Sequence, residues 1–175
     1  IMPNHHVIDN STEVRVIFED GRMYEANIIG SDRLTDIGLV KIVASNLIPI
    51  SIGNSDKMLV GDLAVAIGHP LTLGAAPTVT TGVVSALERR LDVGGDLMGS
   101  SVTLFGLIQT DAPITRGSSG GALINKNGEL IGITTAIATA DVGAEGLGFA
   151  VPINLALNIA EDLIKDGKIL HAFLG

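Results

Sequence analysis

The apolar positions of the chain fall into many short runs, several of which alternate with polar residues. Alternation with a period of two is typical of β-strands that bury one face. Pairs of such runs flank the Asp-Gly at residues 20–21 and the Asn-Gly at residues 127–128, which are strong β-hairpin signals. The runs that we predict to be strands cover residues 14–18, 23–29, 37–42, 64–68, 78–87, 104–109, 122–125 and 130–134.

One amphipathic helix is predicted near the C-terminal end, over residues 152–165. Leu155, Ile159 and Leu163 recur every four residues and therefore share one helix face. A proline stands near the start, and Gly167 lies just past the end, where glycine commonly terminates a helix. Many strands followed by a single helix favour an antiparallel barrel or sandwich over parallel βαβ units.

Two stretches of the chain have no clear periodicity. Residues 71–77 are rich in turn-forming residue types, and we place a boundary between two β-subdomains there. The predicted division is 1–74, 75–152, and a helix with a following linker at 153–175. Residues 91–103 contain a Gly-rich stretch, which we predict to be a mobile surface loop.

The composition fits one folded domain, or two small subdomains that share a core. Hydrophobic residues make up 46% of the 175 residues and charged residues 17%, so the chain can bury a substantial core. The formal net charge of −8 argues against nucleic acid, because phosphate binding needs a basic face. No cysteine is present, which excludes disulfides and thiolate metal sites, and no apolar run is long enough to span a bilayer.

Ser119 is the first candidate for chemistry, because it lies in the run GSSGG at residues 117–121. A nucleophilic serine needs a sharp turn and nearby backbone N–H groups, and glycines permit both. Gly-Ser clusters are also common as plain turns, so this run alone does not establish a site. Two serine-hydrolase geometries compete for it.

The pattern Gly-x-Ser-x-Gly matches the nucleophile elbow of α/β-hydrolases, with Asp141 and His171 following in the expected order. That elbow needs a helix directly after the serine, whereas residues 122–134 are predicted to form a hairpin. The esterase interpretation is therefore disfavoured. The order His, Asp, Ser belongs to chymotrypsin-like barrels, and His6, Asp36 and Ser119 satisfy it. We expect His6 at the end of a strand and Asp36 just before one.

Several motifs in the same order along the chain resemble the HtrA (DegP/DegS-type) serine proteases. The matching segments are Asn4-x-His6-Val7, TDIGL at 35–39, GD at 61–62, AIGHP at 66–70, QTDA at 109–112, the serine run with ALIN at 117–125, and GFAVPI at 148–153. A series of matches from one end of the chain to the other is far more specific than any single motif.

The resemblance implies an all-β fold of the chymotrypsin/trypsin type: a double antiparallel β-barrel with a C-terminal helix. Residues 1–74 would be the N-terminal barrel carrying His6 and Asp36, and residues 75–152 the second barrel carrying Ser119. Ser119 would be the nucleophile, His6 the general base, and Asp36 the group that orients the imidazole. The oxyanion hole is assigned to residues Gly117, Ser118 and Ser119, through the backbone N–H groups of Gly117 and Ser119.

The resemblance also implies a specificity pocket around residues Ile114, Ile133, Thr134 and Thr135. Because none of these is acidic, we expect a preference for a small or medium apolar side chain at P1. The loop at 91–103 corresponds to the family's regulatory loop, and we expect an effector to order it. No cofactor and no metal site are expected.

Departures from the family pattern are also visible. Arg116 stands where the family usually has a proline, which removes a rigid φ ahead of the oxyanion loop. The strands that precede the histidine in the family are not part of this sequence, so we expect the first barrel to be incomplete. Residues 168–175 resemble the linker into a PDZ domain, which would capture peptide effectors. By resemblance, the full-length protein is expected to be an extracytoplasmic homotrimer.

The remaining histidines and acids are weaker candidates. His5 is expected to face away from the cleft, and neither His69 nor His171 has an acidic partner at metal-ligand spacing in the sequence. Residues Asp111 and Asp141 are expected to be turn or loop acids. The predicted function is a serine endopeptidase acting on unfolded or regulatory proteins through an acyl-enzyme, in protein quality control or a stress response. The alternative is an inactive binding or chaperone module on the same fold.

Overall fold

The computed structural model describes residues 1–69, 76–93, 101–115, 117–135 and 147–171 of the chain. The first part of it forms a three-stranded antiparallel sheet in the order β1-β2-β3. A one-turn helix, α1, precedes this sheet. The bounds are α1 His5–Ile8, β1 Val14–Ile17, β2 Met23–Asp32 and β3 Ile37–Lys41.

The second part forms a closed antiparallel barrel in the order β4-β5-β6-β9-β8-β7. A short 3₁₀ helix at Ser55–Lys57 precedes it, and a C-terminal helix, α2, follows it. The bounds are β4 Leu63–Gly68, β5 Thr78–Val93, β6 Val102–Thr110, β7 Ala122–Ile124, β8 Leu130–Thr135, β9 Gly148–Pro152 and α2 Ile153–Asp166. The all-β class with one C-terminal helix is confirmed, and the first sheet is open where the second is closed.

The sequence patterns predicted most elements well. The hairpin around Asp-Gly appears as β1 and β2, and the Asn-Gly hairpin as β7 and β8. Helix α2 is terminated by Gly167, the residue after its last turn, whose φ of 68° lies in the left-handed region and whose N–H donates to the carbonyl of Leu163 at 3.0 Å. Strand β9 was not predicted, because it is a short run buried on both faces, without alternation.

Three predictions differ from the structure. The boundary placed at residues 74/75 does not coincide with the change of sheet, because β4 already pairs with β5 and β7 in the barrel. The predicted loop at 91–103 overlaps the ends of two strands, since β5 runs to Val93 and pairs there with Val102 of β6; residues 94–100 lie outside the described part. His6 lies in α1 rather than at a strand end.

The main hydrophobic core lies where the open sheet, the barrel and α2 meet. It contains Ile37 and Leu39 of β3, Val151 of β9, and Ile153 and Leu163 of α2, all at most 8% exposed. This packing holds the start of β3 against the barrel. As a result, the turn between β2 and β3 lies beside the barrel strands that carry the serine loop. Among the described residues, no helix is long and apolar enough to cross a membrane.

Candidate active site

Three polar side chains from distant parts of the chain form one hydrogen-bonded row. His6 Nδ1 lies 2.9 Å from Oδ1 and 3.0 Å from Oδ2 of Asp36, and His6 Nε2 lies 3.0 Å from Oγ of Ser119. These are ordinary hydrogen-bond distances. Because an ionised carboxylate only accepts, Nδ1 carries the proton and Nε2 is left to accept from the serine hydroxyl. The structure therefore brings together all three residues that the sequence predicted.

Asp36 sits in the turn between β2 and β3 and is completely buried. Its φ of 58° lies in the left-handed region, which is uncommon for a residue other than glycine. Two donors hold its carbonyl oxygen: the backbone N–H of His5 at 3.1 Å and Nδ2 of Asn4 at 3.0 Å. These bonds fix a backbone conformation that has a steric cost.

The Asp36 carboxylate has two further donors besides the imidazole. The backbone N–H of His6 donates to Oδ1 at 3.1 Å, and the hydroxyl of Thr135, at the end of β8, donates to Oδ2 at 3.0 Å. The first N–H groups of a helix have no intrahelical partner, so Asp36 also satisfies the N-terminus of α1. A buried charge is stable only when hydrogen bonds replace its lost hydration. Here the same donors also hold the carboxylate in the orientation in which it bonds to His6.

Ser119 lies on a tight turn between β6 and β7. Gly117 and Gly120 have φ values of 91° and 79°, which glycine adopts without steric cost. The turn is held against β8: the N–H of Gly120 donates to the carbonyl of Thr134 at 3.0 Å, and the Thr134 hydroxyl donates to the carbonyl of Ser118. The glycine run thus provides a fixed turn that presents Ser119 to the imidazole.

The residues assigned to the oxyanion hole differ in whether their backbone N–H is already used in a hydrogen bond. The N–H of Ser118 donates to the carbonyl of Thr115 at 2.9 Å and is therefore committed within the loop. The assignment of oxyanion donors accordingly narrows to Gly117 and Ser119. Arg116, the departure noted in the sequence, lies outside the described residues.

The four residues assigned to the specificity pocket are spread over several environments. Thr134 and Ser118 line a cavity of about 200 Å³, and residues of β4 and β5 line the same cavity. Ile114 and Ile133 are at most 5% exposed and pack in the hydrophobic core. Thr135 is fully buried and bonds to Asp36. Among the residues described, only Thr134 of this set borders that cavity.

The secondary candidates have other partners. Nδ1 of His5 lies 2.9 Å from Oγ of Ser31, so the His5 imidazole bonds to Ser31, whereas the His6 imidazole bonds to Asp36 and Ser119. Asp111 accepts from the backbone N–H of Val83 at 2.7 Å, a structural role between strands. Asp141 lies outside the described residues. No group of three His, Cys, Asp or Glu side chains that could hold a metal ion occurs within the described ranges.

Three contacts near the site were not predicted from the sequence. Asn4 and Thr135 donate hydrogen bonds to Asp36, and Nε2 of His171 lies 2.6 Å from Oδ1 of Asp32. Asn4 stood within a quoted motif, so its position was marked but its task was not. Asp32 and His171 are 139 residues apart, and no local pattern could have joined them.

A carboxylate, an imidazole and a serine hydroxyl in one hydrogen-bonded row can perform acyl transfer, because the imidazole can take the hydroxyl proton as the oxygen attacks a carbonyl. This fold and this row of residues define the class of chymotrypsin-like serine hydrolases. A profile of the trypsin-like peptidase domain matches residues 1–133, and the chain belongs to that family.

The individual relatives agree with the HtrA resemblance noted from the motifs. The chain is 48% identical over 176 residues to the periplasmic pH-dependent serine endoprotease DegQ of Escherichia coli K12, covering 100% of this chain and 37% of that protein. It is 45% identical over 176 residues to the periplasmic serine endoprotease DegP of the same organism, covering 100% of this chain and 35% of DegP. The chain thus spans about a third of these relatives.

A solved structure gives the same result for the fold. The HtrA-type protease AlgW with a decapeptide superimposes with a TM-score of 0.85 at 40% identity, covering 99% of this chain and 51% of that one. The resemblance to HtrA proteases and the trypsin-like fold class are therefore confirmed.

Proposed function

We propose that this chain is the catalytic part of a serine endopeptidase that cleaves unfolded or regulatory proteins through an acyl-enzyme. One observation carries the proposal: His6 Nε2 lies 3.0 Å from Ser119 Oγ while Nδ1 is held by the buried carboxylate of Asp36. A histidine oriented from one side by a carboxylate and bonded on the other to a serine is the arrangement that activates a hydroxyl nucleophile.

The proposed reaction begins when Ser119 Oγ attacks the carbonyl carbon of the scissile peptide bond and His6 Nε2 accepts the hydroxyl proton. The resulting imidazolium is stabilised by the Asp36 carboxylate, which stays ionised. Nε2 then gives the proton to the leaving amine, so that the C–N bond breaks and an ester to Ser119 remains. Water, deprotonated by the same imidazole, hydrolyses that ester and restores the hydroxyl.

The developing oxyanion requires donors close to Ser119. We assign this role to the backbone N–H groups of Gly117 and Ser119, because Ser118 donates to Thr115 instead. The left-handed φ of Gly117 supports this assignment, since only glycine adopts it without cost in a turn that must face substrate. Removal of a single oxyanion donor typically lowers kcat by about 10²- to 10³-fold.

The wider setting is proposed from the relatives. Those named periplasmic point to an extracytoplasmic location, and the HtrA resemblance points to a homotrimer with a PDZ domain that binds a peptide effector. Protein quality control or a stress response would be the corresponding task. Polypeptide substrates follow from the endopeptidase assignment itself.

Labelling with a fluorophosphonate probe tests the proposal directly, using the full-length protein. The wild type is expected to be labelled, Ser119→Ala not at all, and His6→Ala at a rate lower by several orders of magnitude, because the hydroxyl loses its base. Ser51→Ala is the matched control, since Ser51 is an exposed serine outside the hydrogen-bonded row. Labelling of Ser119→Ala at the wild-type rate, or none of the wild type, would refute the proposal. The second result would favour the inactive binding module.

Cleavage-site profiling on an unfolded protein tests the proposed specificity. Cleavage is expected after small or medium apolar residues such as Val, Ala or Ile, because no acidic side chain occurs among the described residues that line the cavity beside Ser118, Thr134 among them. A majority of basic residues at P1 would show that this assignment is wrong. The serine assignment would be unaffected by that result.

A further inference from the structure

We infer that Asp32 and His171 are positioning residues for Asp36, and that they couple the segment after α2 to the active site. This inference rests on the proposed function, because it assigns the two residues a task in that reaction. Asp32 ends β2, and Asp36 lies four positions further on, in the same turn. His171 comes from the far end of the chain. The side-chain hydrogen bonds described for these two residues join them to each other and to Thr35.

The first step of the coupling is the close approach of α2 to β2. A Cβ atom placed on Gly30 would lie 2.8 Å from Cδ2 of Leu163 and 3.0 Å from the carbonyl oxygen of Gly167. Both distances are shorter than normal packing allows, so the absence of a side chain at Gly30 is what lets the end of the helix rest on the strand. Leu163 is fully buried in this contact.

The second step is the path of the chain after the helix. Ile169 is half-buried and packs against the main core. Two residues later, Nε2 of His171 lies 2.6 Å from Oδ1 of Asp32. The carboxylate only accepts, so Nε2 carries a proton and donates it into this bond. The segment is thus attached to the turn by one apolar anchor and one hydrogen bond, and Asp32 is only 7% exposed.

The third step leads from Asp32 to Asp36. The other carboxylate oxygen, Oδ2, accepts from the backbone N–H of Thr35 at 3.0 Å and from its hydroxyl at 2.5 Å. Thr35 is bonded covalently to Asp36, whose backbone has the costly left-handed φ of 58°. Asp32 therefore fixes Thr35, the residue before Asp36. Asn4 and His5 fix Asp36 itself, by donating to its carbonyl oxygen.

The turn between β2 and β3 thus carries a His–Asp pair at each end: His171–Asp32 at its start and His6–Asp36 at its finish. When His171 is bonded to Asp32, both Asp32 oxygens are satisfied and the turn is fixed at its two ends. When the segment after α2 moves away, Asp32 keeps Thr35 but loses its outer partner, and the orientation of Asp36 toward His6 becomes less restricted. The consequence falls on kcat rather than KM, because Asp36 acts through the imidazole and does not contact the peptide.

The test compares His171→Ala, His171→Gln, Asp32→Asn and the double variant H171A/D32N in the full-length protein, using a fluorogenic peptide. We expect His171→Ala to lower kcat by about 3- to 10-fold, the size of one ordinary hydrogen bond, with KM within about twofold of the wild type. Gln carries an N–H near the position of Nε2, so His171→Gln should recover most of kcat. The double variant should be no slower than Asp32→Asn alone, because both changes break one coupling.

Two further measurements separate positioning from folding and from the proposed function. Lys168→Ala, an exposed neighbour in the same segment, is the matched control and should leave kcat unchanged. The proton NMR resonance of His6 Nδ1–H, recorded in a Ser119→Ala background, reports the bond to Asp36 without needing activity. It should shift or broaden in His171→Ala and recover in His171→Gln.

The outcomes can be told apart. A wild type without hydrolysis, combined with a His6 resonance that still responds to His171→Ala, would overturn the proposed function and support the coupling. An unchanged resonance together with an unchanged kcat in His171→Ala would overturn the coupling and leave the triad assignment standing. An equal loss of kcat in Lys168→Ala would also overturn it, since the effect would then not depend on the His171–Asp32 bond.

Discussion

At the scale of single residues, Asp36 shows how one side chain can serve both the fold and the chemistry. Its carboxylate accepts from the N–H of His6 at the start of α1 and from the hydroxyl of Thr135, in addition to the imidazole. Because each donor reduces the cost of burying the charge, the residues that stabilise Asp36 also orient it. Thr135, assigned from sequence to the specificity pocket, belongs to this group by its contacts.

Thr135→Val tests the contribution of the hydroxyl. Valine has the same shape but no donor, so one oxygen of a buried carboxylate loses a partner. We expect kcat/KM to fall by about 10-fold, which corresponds to one hydrogen bond to a charged group. Thr135→Ser should retain most of the activity, and Thr81→Val, at an exposed position on β5, should have no effect. Equal activity of the Val and Ser variants would place Thr135 outside the machinery.

At the scale of elements, the two helices form for different reasons. Helix α2 has an apolar face with four-residue spacing and a glycine at its end, so its own sequence specifies it. Helix α1 has only four residues and no side-chain cap, and its first N–H groups are satisfied by Asp36. A single turn is unfavourable in isolation because nucleation costs more than one bond returns. The contact with the β2–β3 turn therefore determines α1, which is why a strand was predicted for His6.

Adjacent residues of α2 offer a matched test of its packing. Leu163 is fully buried against β2, whereas Ile164 is 70% exposed. Leu163→Ala should lower the free energy of unfolding by about 2–5 kcal/mol, through lost burial and the cavity left behind. Ile164→Ala should change it by about 0.5 kcal/mol or less. Denaturant unfolding measures both, and similar losses for the two variants would contradict the packing described for α2.

At the scale of the whole molecule, a closed barrel stands beside an open three-stranded sheet. Next to that sheet, an apolar cavity of about 510 Å³ reaches from residues 47–52 to the glycines that follow Ser119. Ile48 is 97% exposed and Ile50 is 42% exposed. Contiguous apolar surface of this kind promotes association, so we expect this face to bind hydrophobic molecules.

A dye that fluoresces on apolar surfaces can locate this face. The double substitution I48S/I50S should reduce the dye fluorescence of this chain by about half or more, since it removes two exposed apolar side chains that line the cavity, while the melting temperature stays within a few degrees. Val43→Ser changes an apolar residue that is 84% exposed and does not line the cavity. A loss of fluorescence as large in Val43→Ser would show that the dye does not report this cavity.

The sequence by itself determined the local structure and the candidates for the reactive residues. Alternating apolar residues and the Asp-Gly and Asn-Gly turns specified the hairpins, and the glycines around Ser119 specified a tight turn, because these preferences act between near neighbours. The predicted hairpin after Ser119 also chose His6 and Asp36 over the competing esterase order. Strands, hairpins and tight turns can be predicted in this way because the alternation of apolar residues and the turn residues lie close together in the sequence.

Only the tertiary structure decided how distant parts combine. It assigned β4 to the barrel, formed α1 on the Asp36 turn, moved Thr135 from the predicted pocket to the carboxylate, and joined His171 to Asp32. Each of these depends on contacts between residues far apart in the chain, whose partners are set by how the sheet, the barrel and α2 pack together. Such contacts produce no periodic pattern in the sequence, because their free energy depends on burial and hydrogen bonding in the folded state.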